Sequence, residues 1–247
     1  MAQEHASGLL IEEHEYVESL IRQTKEALQK YKRDTHFPIV ENGDGSLTDS
    51  KYGGIPYVVQ GESWPICNYK YCKCGYPMEF VVQINLDTLP FNETKFGNGI
   101  LQVWSCPNMS NSVKARIIRP IDTAGAKIQV PENSFPAKRI VGWKRTDDYP
   151  YLEEIEEEDL DEEIWDELDE RAAWEYPVGE DKIGGWPSWR QRVEYPRCPI
   201  CQQEMTTLLL QMAGGSENHK WDEDSTGMGY ILQCPNHKNE VGHVYSR

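Results

Sequence analysis

KYGGIPYVVQGESWPIC (residues 51–67) and KIGGWPSWRQRVEYPRC (residues 182–198) align without a gap, and both read K-φ-G-G-φ-P-x3-Q-x3-[W/Y]-P-x-C. Seven of the seventeen positions are identical, and the two stretches lie 131 residues apart. Two glycines, two prolines and a cysteine at common offsets mark an internal duplication rather than two unrelated turns. The order persists downstream. Cys74-x3-Met78, Gly97-x-Gly99 and Cys106-Pro107-Asn108 follow the first stretch, and Cys201-x3-Met205, Gly227-x-Gly229 and Cys234-Pro235-Asn236 follow the second.

Outward from these stretches the pattern is one of short strands and turns. Met78–Leu86 (MEFVVQINL) is the strongest strand signal, followed by Ile100–Trp104 and Arg116–Ile118, with Lys127–Val130 and Arg139–Trp143 as edge strands. Thr206–Met212 and Tyr230–Gln233 repeat the plan in the second half. Nothing alternates strand with helix, so a doubly wound parallel sheet is not expected. The fold class predicted is α+β: mostly antiparallel sheets in two pseudo-twofold-related halves, with an N-terminal amphipathic helix. That helix is placed at residues 8–32, where Leu9, Leu10, Val17, Leu20, Ile21, Leu28 and Tyr31 recur at helical spacing and Glu26 and Lys30 form an i,i+4 pair. It is read as packing on the protein's own sheet rather than as a detachable partner helix. The domain plan is a helix at 1–37 and one domain over 38–247. Its two repeats, about 45–145 and 176–247, are joined by an acidic segment at 147–175.

The net charge of −16 is local. Residues 147–170 carry fifteen Asp and Glu and no Lys or Arg, which leaves 26 acidic against 25 basic residues elsewhere. An apolar stripe of Ile155, Leu160, Ile164, Trp165, Leu168 and Trp174 runs through this segment, so its later part is expected to be helical. It reads either as a solvated linker or as a polyanion mimic that docks on a basic partner. Direct nucleic-acid binding is not expected, since no basic surplus exists to release counterions. No membrane is expected as a partner either, because no run approaches the roughly 18 apolar residues of a span. The start MAQEHASG lacks the features of a secretion signal, so a cytoplasmic location is expected.

The cysteines carry the definite chemistry. Seven cysteines, an odd number, fit a reducing compartment and metal ligation rather than disulfides. Cys198-x2-Cys201 and Cys234-x2-His237 are two chelating pairs, each able to supply one edge of a tetrahedral zinc site, with His243 as the alternative fourth ligand. Cys67, Cys72, Cys74 and Cys106 form a matching four-thiolate set. Aligning the halves pairs Cys67 with Cys198, Cys74 with Cys201 and Cys106 with Cys234, so Cys72 stands where the second half must import a histidine. Two structural zinc ions are expected. Four protein ligands close a zinc to water, which argues against a metallohydrolase. No nucleophile elbow, zincin motif or phosphate loop is present, and the doubled glycines are turns.

The K-φ-G-G-φ-P motif, C-G-x-P-M-x-F-x-x-Q-I-N-L (Cys74–Leu86), G-x-L-Q (Gly99–Gln102) and K-I-G-G-W-P-x-W-x-Q (Lys182–Gln191) resemble the YwqG-like family of uncharacterised bacterial proteins over roughly residues 45–245. The resemblance implies one α+β domain of two similar halves and no assigned reaction. It also implies, from association with polymorphic toxin systems, a role as an immunity protein. The leading expectation is therefore a non-enzymatic binding protein with a basic protein partner. The alternative is an enzyme or small-ligand binder with a pocket between the repeats, lined by Lys51, Gln60, Lys182 and Gln191.

Overall fold

The computed structural model describes residues 2–91, 95–119, 131, 135–159, 161–171, 173–219, 221–222 and 226–247, the side chains of 2–12, 152 and 157 excepted. The Lys127–Val130 strand, Leu160 and the side chains of Leu9 and Leu10 lie outside the described residues. In chain order the elements are α1 (Ala2–Ala27), β1 (Arg33–Asn42), β2 (Lys51–Tyr52), β3 (Glu79–Asn85), β4 (Ile100–Cys106), β5 (Met109–Ile118), β6 (Lys138–Asp148), α2 (Glu162–Glu170), β7 (Ile183–Gly184), β8 (Thr207–Ala213), β9 (Met228–Gln233) and β10 (Val241–Ser246). Seven strands form one sheet in the order β5-β4-β3-β2-β6-β1-β7, and three form a second in the order β10-β9-β8. The β2–β3, β2–β6, β3–β4, β4–β5, β8–β9 and β9–β10 pairs are all antiparallel. The fold is thus α+β with mostly antiparallel sheets.

The chain divides into two compact units. The larger comprises His36–Arg145, Glu180–Gly184 and Trp189–Arg247. Its centre is the β3–β4 hairpin, where Val82, Ile84, Leu101 and Val103 join Leu210, Met212 and Ile231 in one apolar cluster. The glutamines of the Q-I-N-L and G-x-L-Q motifs are buried within it because the loop at 47–57 needs hydrogen-bond partners. Gln83 Oε1 accepts from Tyr57 N at 2.9 Å while its Nε2 donates to Leu47 O at 2.8 Å, and Gln102 Nε2 donates to Tyr57 O at 2.6 Å. Both hairpins carry a one-residue irregularity at the same place, between Phe80 and Val82 in β3 and between Leu208 and Leu210 in β8.

The smaller unit comprises Met1–Thr35, Thr146–Gly179 and Gly185–Ser188. Along α1 and the 3-10 turn that follows it (Leu28–Tyr31), Leu20, Thr24 and Leu28 are buried at intervals of four, and Thr24 satisfies its hydroxyl on Leu20 O at 2.9 Å. Lys30 turns to Asp159 and Glu156, and Tyr16 OH donates to Glu167 Oε2 at 2.7 Å. The expected acidic helix is α2, capped by the Asp161 side chain accepting from Glu163 N at 3.0 Å. Leu168 is its buried residue, and Trp165 reaches a cluster with Trp174, Tyr176 and Tyr149.

Three sequence expectations change. The helix begins at Ala2, ahead of residue 8. Arg139–Trp143, expected at an edge, belongs to β6, which lies between β2 and β1. Strands β1 and β10 were not anticipated. Pro38 argues against a strand because it cannot donate to a ladder, but β7, at two residues, is too short to pair along the ten residues of β1.

The repeated Gly-Gly turns each cup a carboxylate. Asp44 Oδ2 accepts from Ile55 N at 3.2 Å, and its Oδ1 takes the fully buried Lys51 Nζ at 2.8 Å. Asp148 Oδ2 likewise accepts from Trp186 N at 2.8 Å. Gly54 and Gly185 have φ of +70° and +71°, and a Cβ on either would meet the carboxylate itself. Asp148, counted from sequence within the acidic run, is accordingly buried and structural.

Candidate metal centres

Each cysteine set is assembled from a loop and the end of a hairpin. In the second half, Cys198 lies in a loop closed by Cys198 N to Gln203 O (2.8 Å), Gln202 N to Cys198 O (2.9 Å) and Met205 N to Pro196 O (2.9 Å). The first half repeats these bonds one for one: Cys67 N to Tyr76 O (2.8 Å), Gly75 N to Cys67 O (3.1 Å) and Met78 N to Pro65 O (2.8 Å). The superposed pattern places Cys74 opposite Cys201, as the sequence alignment does, and shows why Cys72 has no counterpart. The first loop is four residues longer, and Cys72 lies in the extra length.

The third ligand of each set ends a strand. Cys106 closes β4, and Cys234 directly follows β9. The connection after each differs in the opposite sense. Cys106 pairs with Met109 across a two-residue turn, whereas Gln233 pairs with Val241 across a loop long enough to hold His237. The fourth ligand therefore comes from whichever loop is longer, the first in one half and the second in the other.

Cys67, Cys72, Cys74 and Cys106 form one group and Cys198, Cys201, Cys234 and His237 the other, with the donor atoms of each group all within 4.8 Å of one another. A zinc ion with bonds of about 2.3 Å to sulfur and about 2.0 Å to nitrogen needs tetrahedral edges of about 3.8 Å between sulfurs and about 3.6 Å between sulfur and nitrogen. Cys201 Sγ lies 3.7 Å from Cys234 Sγ, and His237 Nδ1 lies 3.6 Å from both Cys198 Sγ and Cys234 Sγ. In the first set Cys106 Sγ lies 3.5 Å from both Cys72 and Cys74. All seven cysteines are free thiols, so disulfides do not compete for them. His237, not His243, is the histidine of the second set. His243 lies on β10 opposite Ile231.

The surroundings favour thiolate at some of these sulfurs and oppose it at others. Asn108 N–H points at Cys106 Sγ (3.4 Å) and His237 N–H at Cys234 Sγ (3.3 Å). Burial opposes ionisation of Cys67, but the Ser112 hydroxyl, 3.5 Å away, and the Tyr69 N–H outweigh it and lower its pKa to about 7. Burial and the neighbouring thiols instead push Cys106 well up. Cys234 is lowered, since the Asn236 and His237 N–H groups outweigh its burial. In Cys201 burial and the Cys234 and Cys198 sulfurs override the Gln203 N–H and raise the pKa. Several thiolates cannot gather this closely without a cation to compensate them, so both sets suit a dication. Ser112 and the two N–H donors carried no sequence signal, because hydrogen bonds to sulfur follow from backbone path rather than residue type.

A family model described as a domain of unknown function, DUF1963, matches residues 50–233. The chain belongs to this family. No curated protein matches it. The DUF1963 match starts one residue before Lys51 and stops one residue before Cys234. It therefore takes in the whole first cysteine set and leaves Cys234, His237 and β10 outside.

The four residues expected to line a pocket separate by environment. Lys51 and Lys182 are fully buried, and Gln60 and Gln191 are exposed. Lys51 donates to Asp44 and to Ile55 O, while the backbone of Lys182 bridges to Gln211 in β8. Among the described residues no helix is long and apolar enough to cross a membrane.

Proposed function

We propose that this DUF1963 protein is a non-enzymatic, zinc-stabilised binding protein that docks a basic protein through its acidic segment, acting as an immunity protein against a basic toxin such as a nuclease. The observation that carries the reading is the outer face of α2, where Glu162, Glu163, Asp166, Asp169 and Glu170 are all exposed while Leu168 anchors the inner face. A helix that presents one sign of charge to water concentrates a local field, and such a field steers an oppositely charged partner. The YwqG-like resemblance supports the same role, and seven free thiols support a reducing, cytoplasmic location. One zinc in each cysteine set supplies folding energy and no reaction. The repeated loops and hairpins support descent from a duplicated unit.

Two measurements test this. Elemental analysis of purified protein should give about two zinc ions per chain, and well under one rejects the zinc assignment. Changing the five α2 carboxylates to Gln or Asn should slow association with the basic partner and flatten its salt dependence. Unchanged binding from about 50 to 300 mM salt, over which the screening length falls from about 14 to 6 Å, rejects docking through α2.

A further inference from the structure

A cavity of about 740 Å³ opens beside the first cysteine set, between the loop at 62–69, the edge strand β5 and the edge strand β10. Its size falls within the range of small-molecule sites, roughly 300 to 1,000 Å³. The lining mixes the apolar side chains of Trp64, Tyr69 and Met78 with polar groups, among them Ser112, Lys114 and His243. Trp64 is held in place by its Nε1 donating to Met78 O at 2.6 Å and by an edge-on contact with Trp104 at 4.9 Å. This is a pre-formed aromatic wall.

The polar groups are not equally committed. Glu62 is paired with Arg116, which itself holds Gln102, so its charge is already compensated. Lys114 is exposed and makes no ion pair among the described residues. His243 Nε2 is buried and has no hydrogen-bond partner. A buried imidazole nitrogen without a partner is rare in folded proteins, because its desolvation is then uncompensated. Burial holds the His243 pKa down at about 4, so at neutral pH the ring is neutral and contributes a hydrogen bond rather than a charge.

We propose that this cavity binds a small aromatic carboxylate, its ring against Trp64 and Tyr69, a polar edge satisfying His243 Nε2 and its anionic group facing Lys114. A flat apolar body suits the aromatic wall, and a single negative charge suits Lys114, which makes no ion pair among the described residues. The site is distinct from the acidic helix, so it is independent of the docking function proposed above.

Indole-3-acetate is a suitable probe, with tryptamine as the same ring carrying the opposite charge. Titrated into isotope-labelled, zinc-loaded protein, indole-3-acetate should bind saturably with a Kd below about 1 mM and shift the His243 ring resonances. Tryptamine should bind at least about tenfold more weakly, and Lys114→Glu should reverse that preference. His243→Phe should abolish the polar contact. If it also perturbs folding, the exposed Lys114→Glu still decides. No saturable binding at about 1 mM, equal binding of the two probes, or binding insensitive to Lys114→Glu would each overturn the proposal.

Discussion

Gly54→Ala tests whether the repeated Gly-Gly turn exists to hold a carboxylate. Gly54 has φ +70°, and an added Cβ would lie 2.6 Å from Asp44 Oδ1 and 2.6 Å from Ala137 Cβ. The left-handed conformation alone costs an alanine about 1 to 2 kcal/mol. Moving Asp44 away weakens two charge-assisted bonds, from Ile55 N and from the fully buried Lys51, each contributing about 1.5 to 3 kcal/mol when intact. Asp44 is one-third exposed and can yield towards water, so only part of that is lost. The total is about 4 kcal/mol. Gly61→Ala is the control: its φ is +84°, but no atom lies within 4 Å of the added Cβ, so it should cost only about 1 kcal/mol. Urea unfolding of the metal-loaded protein should separate the two by about 3 kcal/mol, a midpoint difference of about 1 M. Equal losses for the two variants would refute the carboxylate-holding role of the turn.

Cys201→Ser should release one of two zinc ions and lower Tm strongly, because a three-ligand site forfeits much of the roughly 10 kcal/mol or more that a structural zinc provides. Wild-type Tm in that variant would refute a structural site. Cys72→Ser should be milder, as Cys72 lies in the extra loop and water can take its place; elemental analysis and Tm together check this. Asp181 is held below the usual carboxylate range: its burial acts upward, but the His219 charge and hydrogen bonds from His219, Ser216 and Ala213 N outweigh it. Its stabilisation is therefore complete above the unfolded pKa of about 4 and is lost as pH falls through the lower folded value. Asp181→Asn should cost about 3 kcal/mol at pH 7 and flatten the acid limb of stability against pH, read by urea unfolding across that range.

The strands with apolar, β-branched runs were legible because burial on both faces leaves a dense signal, as in β3 and β9, where nearly every residue is buried. Strand β1 was not, since RDTHFPIVEN mixes charges with a proline and only Thr35 and His36 are fully buried. Strand β10 was hidden by the histidine and glycine in VGHVYS. The metal-ligand sets were legible because spacing and residue type are written directly in sequence. What completes them was not: Ser112 comes from β5 and reaches Cys67 only through the strand order. The different burial of the recurring lysine and glutamine was not legible either, because a motif fixes offsets but not the side of a turn on which a side chain falls.

The unequal loops bear on how each cysteine set is closed. A set needs three ligands from positions shared by both halves, and these are present twice: Cys67, Cys74 and Cys106, and Cys198, Cys201 and Cys234. The fourth ligand is supplied differently in each half, by a lengthened first loop carrying Cys72 or a lengthened second loop carrying His237. Three thiolates at fixed positions already fix the location of a tetrahedral ion, so any loop long enough to place a soft or borderline donor at the fourth corner closes the site. Two different solutions are what that geometry permits when three cysteines recur at matching positions and the fourth donor can come from either loop.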